Sequence, residues 1–364
     1  MKILFLMPHL NSGGAERTLS YVSSHMVEAG HDVVVVTLTN NIFYALNPKI
    51  ELESLGISTV SANRLQKYVN IYKRFKRVEE SIKKHKPDVV FCMLPTMAKY
   101  VLQIKNRYDF VLITSERNNP LFDTDEEKRI KAKIYNKSNG IIFQTQRARE
   151  CFPENIQKKG IVIPNAIGNE QAYQVTSSKE KKNKFFAVGR LSKQKDYPTM
   201  FRAFAEFLKK HPGYILDIYG DGALKKQLSD LAKELGILEN INFKGVSKDA
   251  LKESADAKCF ILSSVYEGMP NVLMEAMAIG IPCISTDCPF GPGELIDNGE
   301  NGILVPVGDM EALKEAMCKM VEDEEFAQYC GNNARKLLDT NSISAISERY
   351  LNYVVYISEK GEVK

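Results

Sequence analysis

Short runs of consecutive apolar residues recur along the chain, each followed by a polar or glycine-rich turn and then by apolar residues at helical spacing. Apolar runs of roughly four to eight residues mark strands buried on both faces, as in a parallel sheet. KILFLM at the start, HDVVVVTL, DVVFCM (88–93), FVLITS (110–115), GIIFQT (140–145) and GIVIPN (160–165) predict six such strands. The polar stretch NEQAYQVTSSKEKKNK reads as a connection. The alternation then resumes through FFAVGRL, YILDIYGDG, INFKGV, KCFILSS, PCISTD and GILVPV, with helices expected from Tyr197, from Ala223 and near Ser247. The expected fold class is α/β, with two doubly wound Rossmann-like domains at 1–165 and 166–341. A length of 364 residues fits two domains better than one. A last helix over 342–364 carries Ile343, Ile346, Tyr350, Leu351 and Val354 at helical spacing, and the first domain is a surface for it to pack on.

One stretch, Val265–Pro282 (VYEGMPNVLMEAMAIGIP), stands out. Glu267 and Glu275 are eight positions apart, and VLMEAMAIG reads as an apolar helix ended by Gly280. Eight positions is about two helical turns, so two residues so spaced share a face if both are helical. A helix start with free N–H groups suits a phosphate. Taken alone, the stretch has two readings: a small anionic ligand at the helix start, or a core helix with two solvated glutamates.

Composition narrows the class. No uncharged apolar run is long enough to span a membrane, and MKILFLMPHL runs into NSGGAER without a cleavage site, so it reads as a first strand. The seven cysteines (92, 151, 259, 283, 288, 318, 330) lack paired spacing and read as reduced thiols of a cytoplasmic protein. The five histidines (9, 25, 31, 85, 211) suggest no metal cluster. Residues 1–165 hold 25 Lys and Arg against 16 Asp and Glu, while the remainder holds 24 against 29. A basic first domain beside a mildly acidic second one points to an anionic partner for the first.

In open α/β sheets ligands bind beyond the carboxyl ends of the strands, and several unusual segments follow predicted strands. Asn11-Ser12-Gly13-Gly14-Ala15-Glu16-Arg17 lets backbone approach a ligand closely. It lacks the G-x-G-x-x-G pattern, and no acidic residue ends the second strand, which argues against a dinucleotide enzyme. Gly189-Arg190-Leu191-Ser192-Lys193-Gln194-Lys195-Asp196 puts two cations in one loop, suited to a diphosphate. Gly220-Asp221-Gly222, Gly245-Val246 and Gly291-Pro292-Gly293-Glu294 are further turns, each of which is an ordinary turn or a pocket wall when read singly.

Taken together, these segments resemble the retaining glycosyltransferases of family 4, which have the GT-B fold of two Rossmann-like domains facing a central cleft. The resemblance rests on Glu267 and Glu275 separated by seven residues, the N-S-G-G-A-E-R loop, G-R-L-x-x-x-K, Y-G-D-G and the F-x-G-V loop, all in the family's order. It implies a C-terminal donor-binding domain and an N-terminal acceptor-binding domain. Arg190 and Lys195 then hold the donor diphosphate, and Glu275 accepts from the ribose hydroxyls. Glu267 contacts the donor sugar, with Gly268, Met269, Pro270, Asn271 and Val272 around it. Gly189, Gly220, Gly222 and Val246 line the nucleotide, and Gly13 and Gly14 close over it. The implied reaction is metal-free transfer from a UDP-linked hexose or N-acetylhexosamine, with retention, to a glycan or lipid-linked acceptor. No other cofactor and no nucleic acid are expected. Where many relatives carry a histidine close to the transferred sugar, this chain has Glu116-Arg117-Asn118, which leaves sugar choice open.

Asp123-Thr124-Asp125 matches the spacing of metal-dependent transferases but reads as the cap of a helix. The segment 65–87 has Leu65, Val69, Tyr72, Phe75 or Lys76, Val78 and Ile82 near helical spacing. Lys67, Lys73, Arg74, Lys76, Arg77, Lys83 and Lys84 fill other positions. Such a basic amphipathic helix suits either a solvated face or peripheral contact with an anionic membrane at the inner face of the cell membrane. Two other classes fit the same architecture: an inactive glycosyltransferase-like partner subunit, and a sugar-nucleotide epimerase.

Overall fold

The computed structural model describes residues 1–362 apart from 12, 58–62, 118, 170–173 and 179. The chain forms two compact units, Met1–Ala166 with Ile343–Lys364, and Ile167–Ser342.

The first unit is a seven-stranded parallel sheet, with β1 (Lys2–Met7), β2 (Asp32–Thr37), β3 (Glu51–Ser54), β4 (Val89–Cys92), β5 (Val111–Glu116), β6 (Gly140–Phe143) and β7 (Gly160–Val162). Its order is β3-β2-β1-β4-β5-β6-β7, and the strand order reverses between β1 and β4. Alternate side chains of β1 enter opposite cores: Ile3, Phe5 and Met7 on one face, Leu4 and Leu6 on the other. That two-sided burial is why the strands read as unbroken apolar runs. β3 breaks the rule, and the apolar pattern misses it. It is a sheet edge with sequence ELES, mostly exposed, and among the described residues it pairs with β2 alone.

The helix Ile343–Glu362 belongs to this first unit. Ile346, Tyr350, Tyr353, Val354 and Ile357 enter the same core as β1, and Tyr350 stacks on Phe91 at 6.0 Å. The Tyr353 hydroxyl accepts from the Ile141 N–H at 2.9 Å and donates to the Lys159 carbonyl at 2.6 Å. Gly140 has no side chain to block that hydroxyl, since a Cβ there would stand 2.9 Å from it.

The second unit is a six-stranded parallel sheet, with β8 (Lys182–Val188), β9 (Ile215–Tyr219), β10 (Ile241–Gly245), β11 (Ala257–Leu262), β12 (Cys283–Thr286) and β13 (Ile303–Val305). Its order is β10-β9-β8-β11-β12-β13, reversing between β8 and β11. The polar stretch expected to join domains is not a free connection where it is described. Its end is β8 itself, and the N–H groups of Ser177 and Ser178 donate to the Ile279 and Ala255 carbonyls of this unit.

The helix over Arg64–His85 turns a different side outward from the one its sequence suggests. Val78 and Ile82 are buried, but Val69 and Tyr72 are exposed beside Tyr68. The Leu65 and Lys67 side chains lie outside the described residues. Among the described residues, no helix is long and apolar enough to cross a membrane.

Candidate active site

The loops that leave β8 and β11 are neighbours at the reversal of the second sheet, and they carry the charged centre. Lys195, at the end of the short 3-10 turn Lys193–Lys195, places its ammonium 2.7 Å from Glu267 Oε1. Both side chains are largely buried, 14% and 9% exposed, so neither charge is left to bulk water. The Ser264 hydroxyl donates to the same oxygen at 2.6 Å, and Gln194 Nε2 donates to Oε2 at 3.4 Å. The loops are tied along their backbones as well. The Val265 N–H donates to the Gln194 carbonyl at 2.9 Å, and the Ser263 hydroxyl to the Lys195 carbonyl at 2.7 Å. Sequence reasoning missed Ser263, Ser264 and Gln194: the Ser263 bond to Lys195 and the Gln194 bond to Glu267 span 68 and 73 positions, and Ser264 meets Glu267 only because that carboxylate turns inward.

Glu267 is not on a helix. The helix runs Asn271–Ala278, so the shared-face argument for Glu267 and Glu275 does not apply. Glu267 instead sits on the loop before the helix, buried, while Glu275 is half-buried within it. The helix opens after Pro270 with no side-chain cap and closes at Gly280, whose φ is +79°. Leu273, Met274, Ala276 and Met277 are fully buried, which fixes the helix and the loop that precedes it. Gly291 (φ +86°) lies against that loop, where a Cβ would meet the Gly268 carbonyl and stand 2.5 Å from Pro270 Cδ.

The glycines after β8 and β9 let two loops touch through backbone alone. The Gly189 N–H donates to the Tyr219 carbonyl at 2.9 Å, and the Leu191 N–H to the Asp221 carbonyl at 3.0 Å. The Lys195 stem lies over Gly189, where a Cβ would stand 2.8 Å from Lys195 Cε. A Cβ on Gly222 would come within 2.5 Å of the Leu191 carbonyl, and one on Gly220 (φ +141°) would overlap the Gly189 carbonyl. Gly220→Ala is therefore expected to cost about 1–3 kcal/mol of stability, read by denaturant unfolding. A melt within 0.5 kcal/mol of the parent, on the order of experimental scatter, would show that the loops have room to spread.

Two further groups sit on this rim. Arg190 is exposed, and its guanidinium has no ion-pair partner among the described residues. Val246 follows Gly245 (φ +70°) and is 80% exposed, unusual for valine. Burial, then the nearby Glu267 charge, pushes the Cys288 thiol up to about 12, so it stays protonated and is no nucleophile. Burial and Glu267 also push the Tyr197 hydroxyl up, and it donates to the Gly189 carbonyl at 3.0 Å.

In the first unit the expected sugar-proximal residues have other partners. Glu116 is 1% exposed and faces the Lys131 ammonium and the Tyr135 hydroxyl, both at 2.7 Å, so its carboxylate is held from inside the unit. Arg117 donates to the Thr18 hydroxyl at 3.0 Å, to Asn165 Oδ1 at 3.3 Å and to the Tyr350 hydroxyl at 2.5 Å. Asn118 lies outside the described residues. Gly13 caps and Gly14 opens the helix Gly14–Glu28, with the buried Glu16 carboxylate packed under Gly13 and 3.1 Å from His9 Nδ1.

Asp123-Thr124-Asp125 is a helix cap. Thr124 and Glu127 form a capping box, the Glu127 N–H donating to the Thr124 hydroxyl at 3.2 Å and the Thr124 N–H to Glu127 Oε2 at 2.8 Å. Asp123 pairs with Lys131 at 2.7 Å. Among the described residues, three metal-type side chains do gather in one place, His211, Cys318 and Glu322; the last two are four positions apart on one helix, and only the fold brings His211 to them.

The family model "Glycosyl transferases group 1" matches residues 169–337, and "Glycosyltransferase Family 4" matches residues 12–171. A Campylobacter jejuni relative, an α-1,4-N-acetyl-D-galactosaminyltransferase acting on a GalNAc-GalNAc-diNAcBac-PP-undecaprenol, is 27% identical over 360 residues, covering 98% of this chain and 99% of its own. The apo lipopolysaccharide outer core galactosyltransferase WaaB superposes with a TM-score of 0.79 at 20% identity, over 98% of this chain and 99% of that one. HepE of Anabaena, solved with UDP-glucose, superposes with a TM-score of 0.74 at 18% identity, over 98% of this chain and all of that one (100%). The chain belongs to the family 4-like glycosyltransferases and has their GT-B architecture of two Rossmann-like domains.

Proposed function

We propose that this glycosyltransferase moves a hexose or N-acetylhexosamine from a UDP-sugar to a glycan or lipid-linked saccharide, with retention of configuration. The second unit takes the nucleotide sugar and the first takes the acceptor. The observation that carries the reading is the buried Lys195–Glu267 pair at the β8–β11 reversal, where a doubly wound sheet binds ligands. Support for the substrates comes from HepE, solved with UDP-glucose, and from the relative whose named substrate is linked through PP-undecaprenol.

In this mechanism the anomeric carbon–phosphate oxygen bond breaks as the acceptor oxygen bonds to the same face of that carbon. The acceptor proton passes to the departing diphosphate. Negative charge builds on the leaving group, and Lys195 with the exposed Arg190 stabilises it. Glu267, held by Ser264 and Gln194, orients the sugar, and Glu275 accepts from the ribose hydroxyls. Val246 offers an apolar wall for the base, and Gly268 to Val272 frame the diphosphate and sugar. The chemistry asks no metal of these residues. The test is NMR of the product's anomeric centre after a screen of UDP-sugars: an axial donor should give an axial linkage, and an inverted linkage would overturn retention.

The first unit, in this reading, works at the inner face of the cell membrane. Tyr68, Val69 and Tyr72 are exposed next to exposed Lys73, Lys76 and Arg77, a face that combines interfacial aromatics with cations. Reversing the charge of those three cations should abolish co-sedimentation with anionic liposomes. Undiminished sedimentation would place the contact elsewhere.

A further inference from the structure

A cluster at the far end of the second unit has no part in the site above. In a parallel sheet each helix carries the chain back from the carboxyl to the amino ends of the strands. The C-termini of the helices Tyr197–Lys210 and Met310–Glu322 therefore lie at the end of the sheet opposite Lys195 and Glu267. These two helices pack against each other. Cys318 and Glu322 are four positions apart on the second and share its face, and His211 directly follows the first. A ring nitrogen of His211, the sulfur of Cys318 and a carboxylate oxygen of Glu322 all lie within 4.8 Å of one another.

The imidazole is held in place for a ligand role. It stacks on Phe207 at 4.9 Å and stands edge-on to Tyr214 at 6.4 Å, with Nε2 aimed at Glu322 Oε1, 2.8 Å away. A tetrahedral ion with bonds of about 2.0–2.3 Å keeps its donor atoms roughly 3.3–3.7 Å apart. Small side-chain movements bring this trio to that spacing, and Glu322 is 42% exposed and able to make them. Lys210 Nζ now sits 2.5 Å from the same oxygen, but it is 65% exposed on a flexible stem that swings into water. One thiolate, one imidazole and one carboxylate favour a borderline ion over magnesium or calcium, which take oxygen ligands.

We propose that His211, Cys318 and Glu322 form a site for a divalent ion of the zinc class, with water as the fourth ligand, that ties the C-terminal ends of these two helices together. On binding, the Cys318 thiol gives its proton to solvent as the metal–sulfur bond forms. The site is independent of the transfer reaction.

Cobalt(II) titration of the chelator-treated full chain tests this. One equivalent should bind with a sulfur-to-cobalt charge-transfer band in the near ultraviolet. Cys318→Ser should abolish the band with an unchanged circular dichroism spectrum. His211→Gln should weaken binding at least about tenfold, and Lys210→Ala should strengthen it. Zinc should raise Tm in the parent and not in Cys318→Ser, and magnesium should do so in neither. Absence of the band, or a band that survives Cys318→Ser and disappears on substitution of the exposed Cys151, overturns the proposal.

Discussion

Lys195→Ala is expected to lower kcat by about 10²- to 10³-fold while the KM for the donor changes far less, the pattern left by losing one preorganised donor to a leaving group. The ammonium is placed 2.7 Å from Glu267 and largely shielded from water, so a diphosphate draws it from that carboxylate in a setting where charges are weakly screened. Removing it also leaves Glu267 buried without a cation, though still bonded to Ser264 and Gln194. A stability loss of about 1–3 kcal/mol should therefore accompany the kinetic loss. The double variant Lys195→Ala/Glu267→Gln separates the two effects: it should recover stability, since no buried charge remains unmatched, and recover no turnover. A kcat within about threefold of the parent, under ~1 kcal/mol of barrier, would contradict the leaving-group role.

The largest stability effect is expected in the first unit, at Lys131. Its side chain is 8% exposed and joins Glu116 and Asp123, each at 2.7 Å, with the Tyr135 hydroxyl also on Glu116. Burial alone would lower the lysine's pKa, but the two carboxylates more than offset it and the pKa is raised. Lys131→Met strands two buried carboxylates and should cost about 3–5 kcal/mol, or roughly 10 °C in Tm for a unit of this size. Glu116→Gln distinguishes an anchor from a ligand. As an anchor it lowers Tm and leaves the acceptor KM unchanged. A raised acceptor KM at unchanged Tm would restore Glu116 to a binding role.

Much of this molecule is legible in its residues because most strands of both sheets are buried on two faces and are therefore largely apolar, Asp217 of β9 being a buried exception. The miss at β3 follows from the same rule, since an exposed edge such as Glu51–Ser54 carries no apolar signal. Asp123 to Asp125 was legible as a helix cap because cap residues act within one turn of sequence, though the Glu127 half of the box was seen only in the structure. The partners of Glu116 and Arg117 were hidden for the opposite reason. Charged residues after a strand look like surface, and their partners Lys131, Tyr135 and Tyr350 are brought to them only by the fold. Glu267 shows both limits at once. Its motif is visible in sequence, but its burial, its place before the helix and its pairing with Lys195 depend on β8 lying beside β11.

The central claim is that this chain couples departure of a nucleoside diphosphate to extension of an acceptor. The most direct measurement follows UDP release and acceptor mass together, with a matched UDP-sugar and a lipid-linked saccharide. The account predicts one UDP for each sugar added, no donor change without acceptor, and loss of both signals in Lys195→Ala. Conversion of the donor to another UDP-sugar in the absence of acceptor would contradict it, as would UDP release with no gain in acceptor mass.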